Sequence, residues 1–219
     1  GATLVADRLG HAGSAYLFNG TTNNIQVPNS SSLNFEQSIT LNFWINIGAL
    51  FLREQYPLSH GNYQNRWKVS ISNNHLRWTV KTTTGIKDLY SETELATNRW
   101  YNVTALYGGS DFEIYLDGNL DAFTSWSGPI LTTNIDLTIG QASPTESGYN
   151  FQGVLDEIRI YNYALSVDEI MGLVSGTTGV GDGTVSTLPA EFTLDQNYPN
   201  PFNPVTTILY GLPARAKVT

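Results

Sequence analysis

Asp156 poses the sharpest chemical question in the sequence. Alternation along VLDEIRIY places it on one strand face with Val154, Ile158 and Ile160, while Glu157 and Arg159 turn the other way with Leu155 and Tyr161. A carboxylate on an apolar face needs compensation, because unpaired burial costs several kcal/mol or forces protonation. It is expected to meet backbone amides or a cation. A second group is aromatic and polar. Trp44 alternates with Thr40, Asn42 and Asn46 on the polar side of ITLNFWINI, and Trp100 shares a face with Asn102 and Thr104. Aromatic faces stack on pyranose rings, so Trp44, Asn42, Asn102, Tyr115 and Arg159 could line a sugar-binding groove if that face is concave and open. The competing reading packs Trp44 under a long loop. Trp67 and Trp78 sit on apolar strand faces and are assigned to the core, and Trp126, in TSWSGP, is a loop anchor or a loop-tip contact.

Catalysis finds little support. Glu113 and Asp117 share a face but stand about 13 Å apart at ~3.3 Å per residue, beyond the roughly 5–9.5 Å of a glycosidase pair. Asp156 and Glu157 are adjacent and face opposite sides, which leaves only a cross-strand pairing of Glu113 with Glu157 open. There is no G-x-S-x-G and no phosphate-cradling glycine loop opening a helix. His11, His60 and His75 are isolated, which argues against zinc, and the chain has no cysteine. A formal net charge of -8, with eleven scattered Lys and Arg, opposes a phosphate backbone, so nucleic acid is not a partner. No apolar run approaches the ~20 residues of a membrane span, so no membrane insertion is expected.

The elements that must position these groups are strands. Ile39, Leu41, Phe43 and Ile45 form one apolar face, and the same period of two recurs in WKVSI, LRWTV, YNVTALY, FEIYL and IDLTI. Turn signals separate them at Ser72–Asn74, Gly108–Asp111 and after Leu116. Many short strands, each with one apolar face, predict an all-β, two-sheet antiparallel sandwich. One short helix is expected where Ser166 and Glu169 have the spacing of a capping box. Residues 48–66 are the most irregular stretch and could be a specificity loop. The main domain is placed at residues 1–174, a Gly/Thr-rich linker at 175–188, and a partial small β domain at 189–219, which holds five of the nine prolines.

Three segments of the main domain, DRLGHAGSAYLFNGTTNNIQVPNSSSLN, ITLNFWI and FQGVLDEIRIYNYALSVDEI, resemble laminin-G-like domains of the concanavalin A-like lectin and glucanase superfamily. The resemblance spans roughly residues 5–173 and implies a jelly-roll sandwich, often with a structural Ca²⁺ and often with glycan ligands. It also implies that Asp156 is a calcium ligand, joined by oxygens of the FNGTTNN segment, here Asn19, Asn24 and carbonyls near Gly20. Asn stands at 19 and 24 where the family commonly has Asp, which lowers the ligand charge for an ion that wants roughly 6 to 8 hard oxygens. Calcium therefore stands beside a reading in which Asp156 simply hydrogen-bonds the N-terminal hairpin. Catalytic relatives on this fold carry ExDxE or ExDxxE strands, and neither pattern is present.

The end of the chain, LPAEFTLDQNYPNPFNPVTTILYGLP, resembles the opening of the C-terminal sorting domains of type IX secretion cargo. Pro199, Pro201 and Pro204 stiffen a turn before a strand near Thr206. That resemblance implies export across an outer membrane, to an extracellular or cell-surface location. Such domains are about twice this length, so open strand edges here could pair with another protein chain by strand addition. The leading expectation is a secreted, non-catalytic recognition module for a glycan or surface polymer. A structural or adhesive surface-assembly subunit is the alternative, and a degenerate glycoside hydrolase ranks third.

Overall fold

The computed structural model describes residues 1–62 and 66–176, with the backbone of two short strands further on. The chain divides into two units, Gly1–Gly176 and Thr177–Thr219. In chain order the strands of the first are β1 (Thr3–Val5), β2 (Ala15–Asn19), β3 (Ile25–Val27), β4 (Ile39–Ile47), β5 (Gln55–His60), β6 (Trp67–Ser72), β7 (His75–Thr82), β8 (Gly85–Glu94), β9 (Trp100–Tyr107), β10 (Asp111–Leu116), β11 (Asn119–Ser125), β12 (Leu137–Ile139) and β13 (Gln152–Tyr161). Helix α1 (Val167–Ser175) closes that unit. In the second unit β14 (Thr193–Leu194) pairs antiparallel with β15 (Tyr210–Gly211). Otherwise the expected linker beyond Gly176 and the sorting-domain segment lie outside the described residues.

Two antiparallel sheets form the sandwich. The first runs β1-β2-β13-β4-β9-β10-β11, and the second β3-β12-β5-β6-β7-β8. The expected inward faces meet: Ile39, Leu41, Phe43 and Ile45 of the first sheet and Val69, Leu76, Trp78 and Val80 of the second are all in one buried cluster. Trp78 binds the layers together, stacking on Phe112 at 5.7 Å while its indole N–H donates to the Leu106 carbonyl at 3.1 Å. Where the chain turns into β13's neighbourhood, Gly140 is required, because its φ of +83° is left-handed and a Cβ would lie 2.3 Å from the Phe18 ring. The capping box forms as the spacing predicts: Ser166 accepts from the Glu169 amide and Glu169 reaches back to the Ser166 N–H.

Two expectations are corrected. The irregular stretch 48–66 contains β5, a central strand of the second sheet with all six residues buried. Its sequence, QYPLSH, buries Gln55, Ser59 and His60 beside the apolar Leu58 and so shows no apolar alternation, and its register slips between Gln55 and Leu58 around Pro57, which has no N–H to donate. The second correction concerns Asp156. A bulge between Asp156 and Arg159, with Glu157 at φ +49°, inserts an extra residue in β13. Alternation is therefore reset: Leu155 pairs with Ile45 on the core side, Asp156 pairs with Trp44 on the outer side, and Arg159 pairs with Asn42. Asp156 does not share the face of Ile158 and Ile160, which pack against the core.

Candidate functional site

The outer face of the first sheet gathers the residues expected to line a groove. Trp44 pairs with Asn102, Asn42 with Thr104 and Arg159, and Tyr115 with Thr104. The face is closed, however. Asn42 and Asn102 are fully buried and Tyr115 nearly so. The Asn42 amide donates to the Asn102 side-chain oxygen at 2.8 Å and to the Thr104 hydroxyl at 2.9 Å. Tyr115 joins Leu106, Leu165 and Ile170 in a second apolar cluster under α1. Thr40 ties down the segment leading into the helix, donating to the Tyr163 carbonyl at 2.8 Å and accepting from the Leu165 amide at 3.1 Å.

Trp44 has a lid of its own. Asp7 accepts from the amides of Leu9 and His11, both at 2.8 Å, and this turn aims Arg8 over the indole, with its Cζ 4.3 Å from the ring centroid. Arg8 also meets Asp156 at 3.5 Å and Glu157 at 3.3 Å, and Arg159 turns to Glu157 at 3.3 Å. Burial raises the Asp156 pKa, with Arg8 partly opposing it. The anticipated sugar platform is thus an internal seam. Trp67 and Trp78 are core residues, and Trp126 is a loop anchor whose N–H donates to the Thr82 hydroxyl at 3.0 Å.

The four residues implied as calcium ligands do not come together. Asn19 pairs with Gln152, four residues from Asp156, which is about 13 Å along the strand. The Asn19 side-chain oxygen already accepts from the amides of Thr21, Thr22 and Asn23, and Asn24 donates to Gln141 at 2.8 Å. The Gly20 carbonyl accepts from Arg53 at 2.9 Å, so a cation is already seated on it. Among the described residues no group of three or more His, Cys, Asp or Glu is placed to hold a metal. This donor set does not fit calcium. The last carboxylate pairing also fails: Glu113 on β10 and Glu157 on β13 are three strands apart, at least about 14 Å at ~4.8 Å per strand, and the register sets Glu113 opposite Tyr161 rather than Glu157.

An open depression lies instead on the outer face of the second sheet. Its volume is about 350 Å³, and its lining includes Glu54, Tyr56, Lys68, Arg77, Asp88 and Tyr149. Strand alternation builds its floor. With Trp67, Val69, Leu76 and Trp78 inward, Lys68, Ser70, Arg77 and Thr79 must face out, and the register aligns Ser59, Lys68, Thr79 and Asp88 in one row and Ser70, Arg77 and Tyr90 in the next. Glu54, just before β5, is the hub. Its carboxylate accepts from Lys68 at 3.0 Å, Ser70 at 2.5 Å, Arg77 at 3.1 Å and the Tyr56 hydroxyl at 2.9 Å. Arg77 bridges on to Asp88 at 2.6 Å, which also accepts from Thr79 at 2.5 Å.

Burial alone would raise the Glu54 carboxyl, but hydrogen bonds from Ser70 and Lys68 outweigh it and hold it below the ordinary carboxylate range. Asp88 is likewise lowered, its burial overcome by Arg77 and Thr79. Burial pushes the Tyr56 phenol up, with Glu54 adding to it, and lowers Lys68. Both carboxylates are therefore ionised at neutral pH and hold no proton to give, whereas a glycosidase acid needs a raised pKa. Two cations face Glu54, Asp88 and Glu146, so the charge is close to balanced. Around this floor stand Tyr149, edge-on to Tyr56 at 5.9 Å, and Tyr90, both well exposed. Sequence reasoning held Glu54 and Tyr56 only within the stretch 48–66 offered as a specificity loop, and missed Asp88 and Tyr149, although the outward Lys68, Ser70, Arg77 and Thr79 were readable from the alternation of β6 and β7. A larger depression of about 640 Å³ is lined by residues such as Asn62, Asp136 and Glu146, with no cationic or aromatic side chain among the described residues that line it.

Fold and site together define an all-β sandwich with a polar, aromatic-edged sheet face. Residues 19–171 match the laminin-G family model of the concanavalin A-like lectin/glucanases superfamily, and the chain belongs to that family. Among solved structures, its fold is similar to the binding domain of Paraclostridial Mosquitocidal Protein 1, with TM-score 0.66 and 22% identity, over 80% of this chain and 46% of that one. It is also similar to the Botulinum Neurotoxin serotype G binding domain, with TM-score 0.62 and 19% identity, over 80% of this chain and 46% of that one. The chain thus spans a little under half the length of these structures. No curated protein matches it.

Proposed function

We propose that this chain is a non-catalytic recognition module that binds a glycan on the outer face of the second sheet. The observation that carries this is the Glu54 hub. It holds Lys68, Arg77 and, through Arg77, Asp88 in fixed positions with their charges paired, beside exposed tyrosines. Fixed donors and acceptors with little net charge suit the hydroxyls of a neutral sugar, and a tyrosine face suits its apolar side. The solved structures similar in fold are themselves binding domains, which supports the general role without naming a ligand. The resemblance of residues 196–204 to a sorting signal supports work outside the cell.

A glycan array followed by calorimetry on the best polysaccharide tests the proposal. Tyr149→Ala should weaken binding about tenfold, the equivalent of ~1.4 kcal/mol, while Trp44→Ala should bind like the parent. Binding lost with Trp44→Ala at unchanged folding, and kept with Tyr149→Ala, would move the site to the first sheet. No saturable binding to any polysaccharide would end the glycan reading.

A further inference from the structure

Arg53 carries a partly buried guanidinium that points at main-chain carbonyls rather than at a carboxylate. It donates to Gly20 O at 2.9 Å, Asn150 O at 3.0 Å and Glu54 O at 3.3 Å. Its other face lies on the Phe51 ring, 4.4 Å from the centroid. Burial lowers its pKa. A charge compensated by carbonyl dipoles and a ring, drawn from separate parts of the chain, is the environment a bound ion would otherwise have.

We infer that the Arg53 guanidinium is the resident structural cation of this domain, clamping the β2–β3 turn to the segment before β13 and making the fold independent of calcium. Three features favour the side chain over an ion. The Gly20 carbonyl is already satisfied. A dication beside it would face a guanidinium with no carboxylate to share. Gly20 is itself tied to the chain before β13, its N–H donating to the Phe151 carbonyl at 3.0 Å, which holds the turn beside Arg53. Since Glu54 follows Arg53 directly, the same clamp seats the hub carboxylate of the second sheet.

The test uses the whole chain, stripped with EDTA, titrated with Ca²⁺ by calorimetry and melted with and without millimolar Ca²⁺. The parent should give no saturable heat and the same Tm in both conditions. Arg53→Ala should melt about 4–10 °C lower, from the loss of charged hydrogen bonds to buried carbonyls. Saturable calcium binding that raises the parent Tm would overturn the inference, as would Arg53→Ala with an unchanged Tm. Should Arg53→Ala not fold, Arg53→Lys and Arg53→Gln decide. Lys keeps the charge and should melt closer to the parent, and the reverse order would overturn the inference.

Discussion

His60 makes the stability of this domain depend on pH in a way that can be isolated. The imidazole ends β5, fully buried. One ring nitrogen accepts from the Arg66 Nε–H at 2.8 Å, the other meets the Asn29 side-chain oxygen at 3.0 Å, and the ring stands edge-on to Trp67 at 5.5 Å. Only the neutral ring can accept from a guanidinium. Burial first, and then the Arg66 charge, bring its pKa down from 6.5 to about 4. Because the folded pKa lies below the unfolded one, the stabilisation is whole above pH 6.5 and is lost as pH falls towards 4. The full gap corresponds to roughly 3.4 kcal/mol, of which about 2 kcal/mol is lost between pH 8 and pH 5. At ~2–4 °C per kcal/mol for a unit of this size, that is a fall of about 4–8 °C in Tm. Calorimetric melting of the parent and of His60→Gln across this range isolates the effect, because the variant can still serve Arg66 and Asn29 but cannot titrate. The parent's Tm advantage should shrink by that amount on going to pH 5, with His11 and His75 cancelling in the difference. An advantage constant across the range would refute the neutral, guanidinium-bonded ring.

Arg66 itself is nearly fully buried and donates to the carbonyls of Leu33, Phe35 and Leu131 as well as to His60. Arg66→Met strands several of these acceptors and should cost about 3–5 kcal/mol in urea unfolding, with an unchanged m-value. Ser166→Ala removes one half of the α1 capping box and should cost about 1 kcal/mol, with faster hydrogen exchange at the Ile170 amide, which bonds to Ser166 O at 3.0 Å.

The core was legible because it follows a period of two: Ile39 to Ile45, Val69 to Ile71 and Leu76 to Val80 face inward as alternation requires. What alternation could not show is where it breaks. The single residue inserted at Glu157 turned Asp156 from the core to the outer face, and with it the reading of its partner from an ion to Arg8. β5 escaped because its sequence, QYPLSH, carries buried polar residues and a proline in place of an apolar alternation. β8 and β11 lie at sheet edges, where exposure relaxes the apolar pattern. Residues facing the same way were correctly grouped on the first sheet, yet whether such a face is open depends on what the chain lays over it. That covering came from Leu165, Ile170 and Arg8, far away in sequence.

The same covering argues for where a ligand can bind. A sandwich has two outer faces, and the chain uses its C-terminal helix and its N-terminal turn to close the middle of one. Asn42 donates to Asn102 in a buried seam, where a sugar would have to displace both the helix and Arg8. Among the described residues the second sheet has no such cover across Arg77 and Asp88, which with the buried Lys68 line an open depression. Its polar groups are held by one another, so a ligand finds them already positioned and loses little freedom in organising them. Arg53 and Arg66 serve the same end in a chain without cysteine, fixing the loops at the ends of β5 by guanidinium contacts to carbonyls. Rigidity around β5 is what keeps Glu54 within reach of both Lys68 and Arg77.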